Sequence, residues 1–168
     1  SLYSLTFAID SKNLLLIDPK KYPPLNLPMF DAKVRSIDDQ IQIFDVFREK
    51  YVSLTPEEWV RQHFSHYLVE HLGHPKTHIQ LEYQLKYARV KKRPDIGVIN
   101  NDSQLEILIE CKAPSIALNE DVFLQLTSYF SVDSSKYIVL TNGLQHIFAA
   151  FEPSTGKFVY LQELPAYK

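Results

Sequence analysis

The residues of this chain best suited to chemistry are Asp95, Glu110 and Lys112. They stand in Arg93-Pro94-Asp95-Ile96-Gly97-Val98 and, a short loop later, Ile109-Glu110-Cys111-Lys112-Ala113-Pro114. Two carboxylates and an ammonium gathered around one point suit a hard divalent cation and a phosphate: the acids hold the ion and the lysine answers the phosphate charge.

Whether they gather depends on the elements that carry them. Residues 95–99 and 105–112 are apolar and β-branched, and Asn100-Asn101-Asp102-Ser103 between them is turn chemistry, which predicts a hairpin. Side chains alternate along a strand, so Glu110 and Lys112 share one face while Leu105, Ile107, Ile109 and Cys111 take the other. Pairing by equal distance from the turn sets Asp95 opposite Glu110, where facing Cβ atoms are about 5 Å apart. Acids that close repel unless a cation lies between them. The plainer alternatives are a turn aspartate and a solvated Glu-x-Lys face. Against them, Ile96, Val98, Ile107, Leu108 and Ile109 are residues of a central strand, where charge is expensive unless paired or metal-bound.

These segments, PDIG and ECKAP, resemble the Asp and Glu-x-Lys signature of the PD-(D/E)XK nuclease superfamily. With TPEEWVRQHFSHYLVEHLGHP upstream, then KKRPDIGV and LIECKAP, the chain is similar to the N-terminal nuclease domain of type I restriction enzyme R subunits, from about Phe44 to Tyr129. The resemblance implies a restriction-endonuclease-like core and metal-dependent cleavage of DNA. It implies Mg²⁺, with Mn²⁺ as a substitute, held by Asp95, Glu110 and the backbone carbonyl of Cys111. Lys112 would orient the attacking water or stabilise charge on the phosphate. DNA is the implied partner, with a motor or specificity subunit alongside.

Thr55-Pro56-Glu57-Glu58 reads as a helix start, with Thr55 as N-cap, Pro56 at the first helical position and Glu58 as capping-box partner. Glu57 falls at helical spacing with Val60, Phe64, Tyr67, Leu68 and His71, the stripe expected to face the core. The resemblance implies a helix acid near the metal, and Glu57 is preferred to Glu58 for it; interaction with the helix N-terminus is the plainer explanation of both. Arg61, one turn on, could pair with Glu57 or reach a phosphate. Gln125 and Tyr129 share a face of a later helix capped by Asn119, and resemble the Gln-x-x-x-Tyr motif of some of these nucleases, thought to approach the site and the backbone of the nucleic acid.

Around these motifs the pattern predicts α/β architecture with a central mixed sheet flanked by helices. A β-rich lead (about 5–8, 14–17, 33–36 and 42–47) precedes a helix over 56–72, strands over 78–85, 95–99 and 105–112, a helix over 120–131, and strands over 137–141, 145–151 and 158–161. The passage from Glu110 to Tyr137 reads as a right-handed crossover joining parallel neighbours, and Asn142-Gly143 as a hairpin turn. One domain over 1–168 is expected: a lead over 1–50, the nuclease-like core over 51–141 and a terminal hairpin over 142–168.

The net charge is only −2, unlike a generic DNA binder, yet Lys86, Arg89, Lys91, Lys92 and Arg93 crowd just before Asp95. Such a cluster could neutralise phosphates beside the site; a lysine-protected strand edge is the equal alternative. A single cysteine, Cys111, excludes an internal disulfide and fits a cytoplasmic setting, and no apolar run reaches membrane-spanning length. Six histidines invite zinc, but no second cysteine exists and the spacing supplies no ligand pairs. There is no G-x-S-x-G elbow and no G-x-x-x-x-G-K-[ST] loop, so the chain carries no ATPase motor of its own. Two alternatives stay open: a non-catalytic nucleic-acid-binding or assembly module of the same fold, and a structure-selective, junction-resolving nuclease.

Overall fold

A computed structural model describes residues 16–83, 93–130 and 135–168, the side chains of 128–130 excepted. Val34–Ile37 (β1), Gln40–Asp45 (β2) and Lys50–Ser53 (β3) form a three-stranded antiparallel sheet. Pro56–Glu70 is α1, and a 3-10 turn at Lys76–His78 leads into Ile79–Leu81 (β4). Then come Ile96–Ile99 (β5), Leu105–Cys111 (β6), Glu120–Phe130 (α2), Tyr137–Thr141 (β7), His146–Glu152 (β8) and Lys157–Leu161 (β9). These strands build a six-stranded sheet in the order β4-β5-β6-β7-β8-β9. It is mixed because β6 and β7 run parallel, with Ile107 opposite Tyr137 and Cys111 opposite Thr141. β6 and β7 are therefore the parallel neighbours that the passage through α2 predicts.

Alternation along β6 splits the interior in two. Ile107, Ile109 and Cys111 pack with Ile96, Val98 and Val139 against Val60, Phe64 and Leu68 of α1. Leu108, on the opposite face, joins Ile138, Leu140 and Ala149 against Phe123 and Leu126 of α2. Helix α1 packs on a second layer: Trp59 lies with Val34, Ile43 and Leu54 of the three-stranded sheet and its flanks, and its Nε1–H donates to the Pro23 carbonyl at 3.0 Å. Apolar layers on both sides explain why every residue from Glu58 to Ser65 is buried. An amphipathic stripe describes a helix with one wet face; most of this one has none.

Several boundaries differ from the expected ones. Within the described part of the strand expected over 78–85, the strand is Ile79–Leu81, because residues before it wind into the 3-10 turn and Glu82 adopts φ 53°; residues 84 and 85 lie outside the described residues. The strand expected over 42–47 is Gln40–Asp45, because the Phe47 and Arg48 N–H groups fold back onto Asp45 Oδ1 at 2.7 and 2.9 Å. β3 has no counterpart among the expected strands, and α1 stops at Glu70, two residues early. The expected strand at 5–8 and residues 14 and 15 of the one at 14–17 lie outside the described residues, and residues 16 and 17 are not strand. Asn142-Gly143 does turn the chain: Gly143 takes φ 83°, and Asn142 Oδ1 accepts from the N–H groups of Leu144 and Gln145. No described helix is long and apolar enough to cross a membrane.

Candidate active site

Asp95 sits one residue ahead of β5, fixed from three sides. Its backbone carbonyl accepts from the Glu82 N–H at 2.8 Å, its Oδ2 from the Cys111 N–H at 2.7 Å, and its Oδ1 from Arg61 Nη2 at 2.5 Å. The pairing of β5 with β6 ends at Ile96 opposite Ile109, one residue short of Asp95 and Glu110. The Asp95 carboxylate turns to Arg61 of α1, whereas Glu110 lies on the sheet face opposite Cys111, which packs in the α1-side core. Asp95 and Glu110 are both buried, at 7% and 3% exposure.

Glu110 and Lys112 share a face, as alternation requires, and Glu110 Oε1 accepts from Lys112 Nζ at 3.3 Å. The Lys112 N–H extends the ladder onto the Thr141 carbonyl at 2.8 Å, holding the backbone straight through the motif. Its side chain keeps 26% exposure, so the ammonium lies at the mouth of the group. Cys111 points the other way, into the core. Burial, then Asp95, push its thiol well above the ordinary range while Arg61 pulls against them; Glu110 and Glu57 add to the upward push. Cys111 is a protonated packing group whose chemical contribution comes from its backbone.

The helix acids exchange their expected places. Glu58, not Glu57, is the buried one. The Thr55 hydroxyl accepts from the Glu58 N–H at 3.0 Å, so Thr55 is the N-cap. The Glu58 carboxylate does not act as a capping-box partner, however: Oε1 accepts from Arg48 Nη2 at 2.5 Å and Gln62 Nε2 at 2.9 Å, and Oε2 from Arg61 Nη1 at 2.7 Å. Glu57 stands at the rim with its side chain 47% exposed and Oε1 3.5 Å from Arg61 Nη2. The reason is the two-sided packing of α1, which buries the helix face that a one-sided stripe would leave wet.

Asp45, Arg48 and Gln62 complete a polar network that sequence reasoning missed. Asp45, fully buried, takes the Arg48 Nε–H and the Gln62 side-chain amide on Oδ2. A chain of ionic contacts thus runs from Asp45 through Arg48, Glu58 and Arg61 to Asp95. The i, i+3 and i, i+4 spacing of Glu58 to Arg61 and Gln62 was a usable signal; the links to Asp45 and Asp95 were not legible from spacing. Burial lowers the Arg61 pKa, but Asp95 and then Glu58 outweigh it and hold the guanidinium above its ordinary value.

Gln125 is exposed on α2, whose first turn is capped by Asn119 through the Val122 N–H at 2.9 Å; the side chain of Tyr129 lies outside the described residues. Of the basic cluster, Lys86, Arg89, Lys91 and Lys92 also lie outside them, and Arg93 is exposed. Among the described residues, no three His, Cys, Asp or Glu side chains converge as a ready-made metal cage, for zinc or any other ion. Mg²⁺ asks for less, since one or two carboxylates with substrate phosphate oxygens commonly hold it. Two buried carboxylates and a carbonyl oxygen are hard donors of the right type, and a carboxylate oxygen that accepts one hydrogen bond keeps a second lone pair. The donor set fits such an ion.

A mixed sheet between two helices, with an aspartate ahead of one strand and Glu-x-Lys leaving its neighbour, defines an α/β restriction-endonuclease-like fold. The chain belongs to the family described as type I restriction enzyme R protein N terminus, which matches residues 56–165 and so spans the whole six-stranded sheet and both helices. It is a nuclease-like domain of that family. No curated protein matches the chain.

Proposed function

We propose that this chain is a divalent-metal-dependent DNA endonuclease domain of the type I R-subunit kind. The observation that carries the reading is the hydrogen bond from the Cys111 N–H to Asp95 Oδ2 at 2.7 Å, which ties the aspartate to the strand that presents Glu110 and Lys112. Asp95, Glu110 and the carbonyl of Cys111 would hold Mg²⁺ or Mn²⁺, with Glu57 at the outer edge. When bound, the ion would supply Lewis acidity and make a water nucleophilic near neutral pH. Lys112, paired only at 3.3 Å and open to solvent, has the freedom to turn from Glu110 to a phosphate oxygen, where it orients the nucleophile or offsets the developing charge. Gln125, Tyr129 and the cluster Lys86, Arg89, Lys91, Lys92 and Arg93 would steady the DNA backbone. A motor or specificity subunit would be the protein partner.

The test is nicking of supercoiled plasmid under Mg²⁺ or Mn²⁺ with EDTA as control. Wild type should cut, and purified, folded Asp95→Asn and Lys112→Ala should not; equal cutting by all three would refute the reading. A second reading, a non-catalytic nucleic-acid-binding module, draws on the ion pair between Arg61 and Asp95, since an idle acid could be neutralised permanently that way. DNA binding in EDTA with no cleavage under either metal would favour it. Cleavage restricted to branched DNA would instead mark a junction-selective enzyme.

A further inference from the structure

We propose that Arg61 is a resident counter-ion that neutralises Asp95 while no metal is bound and swings to Glu57 when a divalent ion enters. The inference rests on the metal-dependent reading above and assigns Arg61 a positioning role within it.

The geometry is that of a pivot between two acceptors. Arg61 Nη1 is anchored on Glu58 Oε2 at 2.7 Å, while Nη2 lies 2.5 Å from Asp95 Oδ1 and 3.5 Å from Glu57 Oε1. The anchor cannot follow the swing, because Glu58 is itself held by Arg48 and Gln62, and Arg48 by the fully buried Asp45. Asp95 does not lose its aim when Arg61 leaves, because the Cys111 N–H keeps Oδ2. Glu57, half exposed, escapes the desolvation that fixes Glu58, so it can receive a guanidinium with little rearrangement.

Charge supplies the motive. Two cations on one buried carboxylate repel strongly in a poorly polarisable interior. Arg61 cannot escape by losing its proton, because a guanidinium stays charged in proteins. It must move.

The experiment is Mn²⁺ titration by calorimetry, with melting in EDTA, on wild type, Arg61→Gln, Glu57→Gln and the double variant. Arg61→Gln should bind Mn²⁺ about tenfold tighter, within the roughly 5–150-fold typical of coupling between two binding events, yet melt lower than wild type in EDTA. Glu57→Gln should melt as wild type in EDTA and bind Mn²⁺ more weakly; in the Arg61→Gln background the same change should weaken binding less, because only the outer-edge contact of Glu57 is then lost. Equal or weaker Mn²⁺ binding by Arg61→Gln overturns the proposal while leaving the metal-dependent reading standing. Wild type that binds no Mn²⁺ overturns both. If Arg61→Gln does not fold, Glu57→Gln decides: unchanged Mn²⁺ affinity overturns the proposal.

Discussion

Tyr83 lies across Gly97 so closely that a Cβ at position 97 would fall 2.5 Å from its Cγ. Gly97 is in the middle of β5, two residues past Asp95, and Tyr83 is buried against the α2 side of the sheet. Gly97→Ala should therefore destabilise by about 1–3 kcal/mol through overpacking. Denaturant unfolding of Gly97→Ala, Tyr83→Ala and the double variant checks it: the double variant should cost less than the sum of the two, because removing the ring removes the clash.

Asp95 contributes to stability apart from any chemistry. Asp95→Ala leaves the Arg61 guanidinium without its shortest partner and the Cys111 N–H without an acceptor, at about 3 kcal/mol. Asp95→Asn can still accept one of the two bonds and should cost about half that or less. The two variants should differ in denaturation midpoint but agree in lacking cleavage.

The two helix acids should separate cleanly by stability. Glu58→Gln removes a buried charge held by two arginines and should cost about 3 kcal/mol or more. Glu57→Gln, at the rim, should stay within about 0.5 kcal/mol of wild type. Thermal melts in EDTA measure both, and a large loss in Glu57→Gln would contradict the placement.

Acid should weaken the fold through His63. Burial holds its pKa down at about 4 from 6.5, despite the hydrogen bond between Nδ1 and the Trp59 carbonyl, with His66 adding to the depression. The unfolded chain binds this proton near pH 6.5 and the folded chain only near 4, so the contribution is full above about 6.5 and is lost as pH falls to about 4. The loss should reach about 3 kcal/mol. His63→Gln should flatten the fall in denaturation midpoint over that window.

DNA affinity should fall with salt in proportion to the phosphates neutralised by the basic segment. Lys91→Ala and Lys92→Ala should each reduce the slope of log K against log salt by about 0.9, the share of one neutralised phosphate. Binding isotherms over a salt series measure it, and slopes that do not change would assign the segment to another surface role.

Much of this was legible because it is local. The turn at 100–103, the apolar alternation of β6 and the Asn-Gly at 142–143 each fix their element within a few residues, and the register of β5 on β6 follows. What sequence could not give is choice among partners. Arg61 has Glu57 and Glu58 at helical spacing, yet its shortest bond goes to Asp95, 34 residues away. Likewise Glu58 is buried because a second sheet covers the outer side of α1, and nothing in the helix pattern announces that sheet. β3 was missed for a related reason: its residues, Lys50-Tyr51-Val52-Ser53, become a strand through pairing with β2.

The bond from the Cys111 amide to Asp95 bridges a hairpin, and the arginine chain from Asp45 reaches the same carboxylate from the opposite direction. No contiguous stretch of chain owns all of these groups. A polypeptide still emerging during synthesis, or one frayed at α1, could form the hairpin but would leave Asp95 without its guanidinium, so the charge balance around that carboxylate is complete only after the distant segments have docked.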